Sequence, residues 1–230
     1  HGVVLSPDGD TCYITDFENH RIRSMDMSTF IVQTLAGSEI QGLSDGFGTS
    51  ATFFNPADVA ISGDGETLLV VDAIAHRLRA INLTTAEVST LAGSGDPEDD
   101  QRTLFSDGIG TNAVFNEPHG VVISNDGEYC YIADSMNQRI RMVALRNGNV
   151  TTLAGSMAGD DDGTGTDAYF QNPYSVAIGG DDATLYVADA GNQRVRLIDL
   201  TTTKVETLAG SGLEEYTDGF GRSAAFKYPR

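Results

Sequence analysis

Positive charge is scarce in this chain: 14 Lys and Arg stand against 33 Asp and Glu, for a net charge of −19. Such a field repels phosphate backbones and anionic membrane surfaces unless a local basic patch offsets it, so no nucleic acid is expected as a partner. Cysteine is scarcer still. Cys12 and Cys130 alone are too few for a disulfide scaffold. No stretch approaches the roughly 18 consecutive apolar residues of a membrane span, which excludes membrane insertion of that kind within this segment. No segment carries a sustained i, i+3, i+4 apolar stripe, so essentially no helix is expected. An initiator Met is missing and no signal-peptide pattern follows His1, so the chain reads as a processed or excised piece whose targeting is to be sought outside it.

What is present is repetition. The string TLAG begins at Thr34, Thr90, Thr152 and Thr207, in steps of 56, 62 and 55 residues. A second element, D-G-x-G-x-x-A-x-F-x-x-P, runs from Asp45 to Pro56, Asp107 to Pro118, Asp162 to Pro173 and Asp218 to Pro229. A third reads CYITDFENHRIR from Cys12, LLVVDAIAHRLR from Leu68, CYIADSMNQRIR from Cys130 and LYVADAGNQRVR from Leu185. Three linked elements in four copies define a repeat architecture.

Each copy holds four short runs rich in Val, Ile, Leu, Tyr and Thr, separated by turn residues. In the fourth copy the runs are Val176–Ile178, Thr184–Ala188, Arg194–Leu200 and Lys204–Leu208. A four-stranded meander of this length is one propeller blade, stable only when neighbours cover its two faces. The fold class expected is all-β, a propeller of four four-stranded antiparallel blades in a single domain over 1–230. The blades are read as 1–56, 57–118, 119–173 and 174–229. Hydrophobic content of 40% suffices for such a core.

The segment YVADAGNQRVRLIDLTTTKVETLAG and its sister copies resemble the NHL repeat over the whole chain. The second copy departs from the pattern, with Ala75 where Asn19, Asn137 and Asn192 stand. The resemblance implies that the run after each repeat Pro is the innermost strand, lining a central channel, and that rings of this family most often have six blades. Either four blades close by packing alone, or the chain is a window of a larger ring; the window is favoured.

The Arg pairs Arg21/Arg23, Arg77/Arg79, Arg139/Arg141 and Arg194/Arg196 hold eight of the fourteen basic residues. Each first Arg follows an Asp by five residues across a tight turn, which suits scaffold ion pairs better than a basic groove. The Asp-Gly-x-Gly element lacks the following helix that a phosphate loop needs, and its recurrence marks turn chemistry with Phe53, Phe115, Phe170 and Phe226 as plugs between blades. Asp160, Asp162, Thr164 and Gly165 open like a calcium loop, but Gln171 stands where the bidentate Glu belongs. Cys12 and Cys130 share a repeat position with Leu68 and Leu185, so reduced, buried thiols are expected. The Asn82 and Asn149 sequons are common enough by chance that location stays open, tilted towards extracellular or cell-surface.

His20 and His76 fall where Gln138 and Gln193 stand in the other copies and read as surface residues. His1 and His119 follow the repeat Pro, with Ala57 and Tyr174 as equivalents, and so mark the channel mouth. Asp58 is the one carboxylate at an inner-strand start, though strict alternation turns it from the channel if Ala57 faces inward. His1, Asp58, His119 and Tyr174 are therefore the candidate binding residues; no catalytic residue, metal ligand or cofactor is assigned. The function read from this is a non-catalytic scaffold holding a protein, peptide or glycan at the channel mouth and loops. The alternative is a metal-dependent propeller enzyme resembling amidating lyases or lactonases, which needs a third ligand beside the two imidazoles.

Overall fold

The computed structural model describes residues 1–95 and 105–230. The acidic insertion at 95–105, apart from its two end residues, lies outside them. The described chain is all-β, with single 3₁₀ turns and no α-helix. The first sheet runs β1 (Val3–Leu5), β2 (Thr11–Asp16), β3 (Arg21–Asp26) and β4 (Val32–Gly37) in sequence order. The second contains β5 (Gly46–Phe47), β6 (Pro56–Ile61), β7 (Thr67–Asp72), β8 (Arg77–Asn82) and β9 (Glu87–Ala92). The third contains β10 (Gly108–Ile109), β11 (Pro118–Ile123), β12 (Tyr129–Asp134), β13 (Arg139–Ala144) and β14 (Asn149–Ala154). The fourth contains β15 (Gly163–Thr164), β16 (Pro173–Ile178), β17 (Thr184–Asp189), β18 (Arg194–Asp199) and β19 (Lys204–Ala209).

Three sheets therefore hold five strands where four were expected. The additional strand is the D-G-x-G element of the preceding copy. Gly46–Phe47 pairs with β9, Gly108–Ile109 with β14 and Gly163–Thr164 with β19, each antiparallel at the outer edge. A two-residue strand carries no periodicity of its own, so alternation cannot announce it.

The core lies between blades. Ile22 and Ala36 of the first sheet meet Val59, Leu68 and Val70 of the second around Phe53, and Phe115 and Phe170 fill the next two junctions. Each plug is crossed by an arginine from the following blade: Arg79, Arg141 and Arg196 lie 5.2–5.4 Å from the ring centroids of Phe53, Phe115 and Phe170. It is the second Arg of each pair, seven residues after the Asp, that makes the buried ion pair: Arg79 with Asp72, Arg141 with Asp134 and Arg196 with Asp189. The first Arg reaches elsewhere, Arg21 to Glu39, Arg77 to Leu43 O and Arg194 to Asp160. Burial raises all three carboxyls, and the facing guanidinium pulls against it; Asp72 is pushed up to about 7. Asp134 and Asp189 also accept from Asn137 and Asn192, a donor that Ala75 denies to Asp72.

Candidate functional site: the channel mouth

The inner strands β6, β11 and β16 are each entered through a residue in the left-handed region, Asn55, Glu117 and Asn172, with φ of 60°, 45° and 49°. The backbone N–H of that residue is held by the blade before it. Asn55 N donates to His20 Nδ1 (3.2 Å), Glu117 N to His76 Nδ1 (2.9 Å) and Asn172 N to Gln138 Oε1 (2.7 Å). His20 and His76 are thus not surface residues: His76 is buried and His20 half-buried, and both are acceptors that fix the entry to the next inner strand. The exchange of His for Gln at this position is the sequence signal, since both side chains offer an acceptor at similar reach.

A bulge follows immediately. Pro56 faces Asp72 while Asp58 faces Val71, Pro118 faces Asp134 while Val121 faces Ile132, and Pro173 faces Asp189 while Ser175 faces Ala188. The additional residue breaks strict alternation and re-aims the side chains after the Pro. This is why Asp58 lines the cavity despite the expectation that alternation would turn it away.

His1, Asp58, His119 and Tyr174 all border one cavity of about 410 Å³, with Ala57, Ser175 and Arg230. Arg230 was not among the expected residues, yet it follows Pro229 as His119 follows Pro118, and that was readable from the repeat. The His1 ring stacks on Phe17 at 4.1 Å, and its Nδ1 lies 3.3 Å from the Tyr174 hydroxyl. The Tyr174 ring lies 4.3 Å from His119 on one side and carries the Arg230 guanidinium at 4.7 Å on another.

His119 Nδ1 is 2.9 Å from Glu117 O and 3.2 Å from Ser135 Oγ. The carbonyl only accepts, and the Ser135 hydroxyl gives its proton to Pro173 O. The neutral ring therefore carries its hydrogen on Nδ1 and leaves Nε2 with the lone pair. Burial, joined by the nearby Arg230 charge, holds the imidazole below the usual histidine range. Asp58 is shifted the other way: burial raises its carboxyl although Val121 N–H donates to Oδ2 at 3.0 Å. The mouth thus joins an imidazole and a carboxyl, each shifted by burial towards its uncharged form, with a phenol and a guanidinium among stacked rings.

Among the described residues no group of three His, Cys, Asp or Glu side chains is placed to hold one metal ion. Asp160 and Asp162 of the calcium-like segment face Arg194, Arg196 and Arg222 instead.

A ring-wise series of antiparallel sheets whose inner strands converge on one axial cavity defines a β-propeller. The human NHL repeat-containing protein 2 is 30% identical over 87% of this chain, which spans 31% of that protein. The chloroplastic SUPPRESSOR OF QUENCHING 1 of Arabidopsis thaliana is 29% identical over 99% of the chain, which spans 22% of it. The chain belongs to the NHL-repeat family of β-propellers. No family model matches it. Among solved structures, a protein of unknown function from Bacteroides thetaiotaomicron superposes with a TM-score of 0.70 at 21% identity, covering 99% of this chain and 52% of that one. Virginiamycin B lyase from Staphylococcus aureus superposes with a TM-score of 0.60 at 11% identity, over 90% of this chain and 54% of the lyase. The chain spans under a third of these curated relatives and about half of the two solved chains. Among the described residues no helix is long and apolar enough to cross a membrane.

Proposed function

We propose that the chain is a non-catalytic binding scaffold whose channel mouth, built by His1, Asp58, His119 and Tyr174, holds a segment of a protein, peptide or glycan. The observation that carries this reading is the convergence of the inner-strand entry residues of all four copies on one cavity, three of the entries being re-aimed by the same bulge. Ring faces with hydrogen-bonding groups at their edges suit amide and hydroxyl-bearing ligands alike. Arrays of peptides and of glycans probed with the parent protein and with Tyr174→Ala test it. Hits that the variant loses support the mouth as the site; hits retained unchanged by the variant remove it.

The metal-dependent enzyme draws on one observation, the presence of His1, Asp58 and His119 around the same cavity. They do not form a three-donor group, since His1 Nδ1 faces Tyr174 and Asp58 Oδ2 is held by Val121. Metal analysis without chelators separates the two readings. Near-stoichiometric zinc that disappears in His119→Ala replaces the scaffold by the enzyme.

A further inference from the structure

The entries to β6, β11 and β16 share one arrangement, and its chemistry differs between copies. In each, two consecutive backbone N–H groups are taken by two side chains, one from the strand's own blade and one from the blade before. Phe54 N donates to Asp72 Oδ1 (2.7 Å) and Asn55 N to His20 Nδ1 (3.2 Å). Asn116 N and Glu117 N find Asp134 and His76, while Gln171 N and Asn172 N find Asp189 and Gln138. The aspartate is common to all three. The other acceptor is an imidazole twice and an amide once, and of these two groups the imidazole alone changes its hydrogen-bonding capacity near neutral pH.

At His20 this difference falls inside the chain, between its first and second copies. An imidazole that accepts at Nδ1 carries its proton on Nε2. A second proton goes to Nδ1 itself and turns the acceptor into a donor facing the Asn55 N–H. The bond cannot survive that change. Asn55 is also held at a φ of 60°, a left-handed conformation that persists only where the surroundings impose it. Directly beyond it stand Pro56 and the bulge that turns Asp58 into the mouth.

The charged groups around the ring are accounted for. On its own turn Asp16 accepts from Asn19 and Arg23, Glu18 is exposed, and Arg21 pairs with Glu39. The end of β4 meets the turn through Gly37, and the linker presents the Phe54 ring edge-on at 5.8 Å. Asp72 approaches the same linker from the other side, its carboxyl pushed up to about 7 by burial against the pull of Arg79. Burial holds the His20 imidazole below the usual histidine range. The contribution of the bond is therefore present above the unfolded histidine value of about 6.5 and is lost as pH falls from there through the folded value.

We propose that His20 is an acid-sensitive latch on the entry to β6: the neutral ring holds the Asn55 N–H, and protonation releases it together with the segment that aims Asp58. The third copy repeats the bond through His76, and the fourth, with Gln138, has a latch that acid does not open.

Backbone amide and imidazole resonances of the whole chain, followed from about pH 8 to about pH 5, test this. As the His20 ring takes its proton, the Asn55 amide should shift with it, and its protection against hydrogen exchange should fall about tenfold. The Asn172 amide should show no such step. His20→Gln places the fourth copy's acceptor in the second copy and should keep Asn55 protected throughout, whereas His20→Ala should leave it unprotected at every pH. Titration of Asp72 reads at the Phe54 amide and should be alike in the parent and in His20→Gln. A His20 ring that stays neutral across the range overturns the proposal. So does an Asn55 amide indifferent to the protonated ring, or a step at Asn55 that survives in His20→Gln.

Discussion

Asp134 and Arg141 meet at 2.7 Å with neither side chain exposed to solvent. The pair does more than neutralise itself. Asp134 Oδ1 accepts Asn116 N–H at 2.7 Å and so fixes the loop that leads into the inner strand, while Arg141 reaches back to Asp107 of the same linker. One ion pair thereby ties blade, linker and mouth together. Arg141→Ala strands a buried carboxylate and should destabilise the fold by about 3–5 kcal/mol. Arg141→Lys should recover little of this, because an ammonium cannot span Asp134, Asp107 and the Ser106 and Val114 carbonyls as a fork does. Denaturant midpoints of the two variants check both statements, and a lysine variant as stable as the parent refutes the second.

Asp26 is governed by local bonds instead. Its Oδ1 accepts from the Ser28 hydroxyl, from the Thr29 N–H and hydroxyl, and from the Ser28 N–H, which lowers its carboxyl to about 2. The folded value lies below the unfolded one, so the contribution is present above about pH 4 and is lost as pH falls towards 2. Asp26→Asn should therefore lower the thermal midpoint near neutrality, and the deficit relative to the parent should shrink across that interval. A deficit that stays constant down to pH 2 contradicts the assignment.

Phase and composition made the blades legible. The fourth-copy runs expected at Thr184–Ala188 and Lys204–Leu208 are β17 and β19, each one residue longer. The mouth was legible in part, because the residue after each Pro occupies one position in every copy. Asp58 was named for the mouth, but the side on which it falls was not legible, because a bulge changes the face without changing the sequence pattern. His20 and His76 were misread because their partners, Asn55 and Glu117, lie 35 and 41 residues away. The same distance hid which Arg of each pair is buried: the linker that receives the second one belongs to another copy.

Cys12 and Cys130 are free and buried, as two residues at the same position of the first and third copies should be. Burial among apolar side chains pushes the Cys130 thiol up, far from the thiolate that reacts. Thiol reagent should label Cys130 only as fast as the protein unfolds, and label it fully in denaturant. Rapid stoichiometric modification of the native protein at neutral pH would refute this.

The spacing of the mouth rests on a glycine that allows two inner strands to touch. A Cβ on Gly120 would lie 2.8 Å from Ser175 Cα and from Tyr174 O, and 3.0 Å from Val176 N, all backbone atoms that cannot rotate away. Its φ lies outside the left-handed region, so the obstacle is steric and not conformational. Gly120→Ala should force β11 and β16 apart, at about 1–3 kcal/mol of stability. The displacement falls on Tyr174, so the ring contact with His119 should loosen as well. Gly63→Ala is the control, since a Cβ there meets nothing within 4 Å. Thermal unfolding of both variants, with the His119 ring proton shifts as a local probe, checks the argument. The expected outcome is a lowered midpoint and shifted His119 resonances for Gly120→Ala alone; equal midpoints for the two variants would mean that the strands yield to the methyl group and that the glycine does not set the width of the mouth.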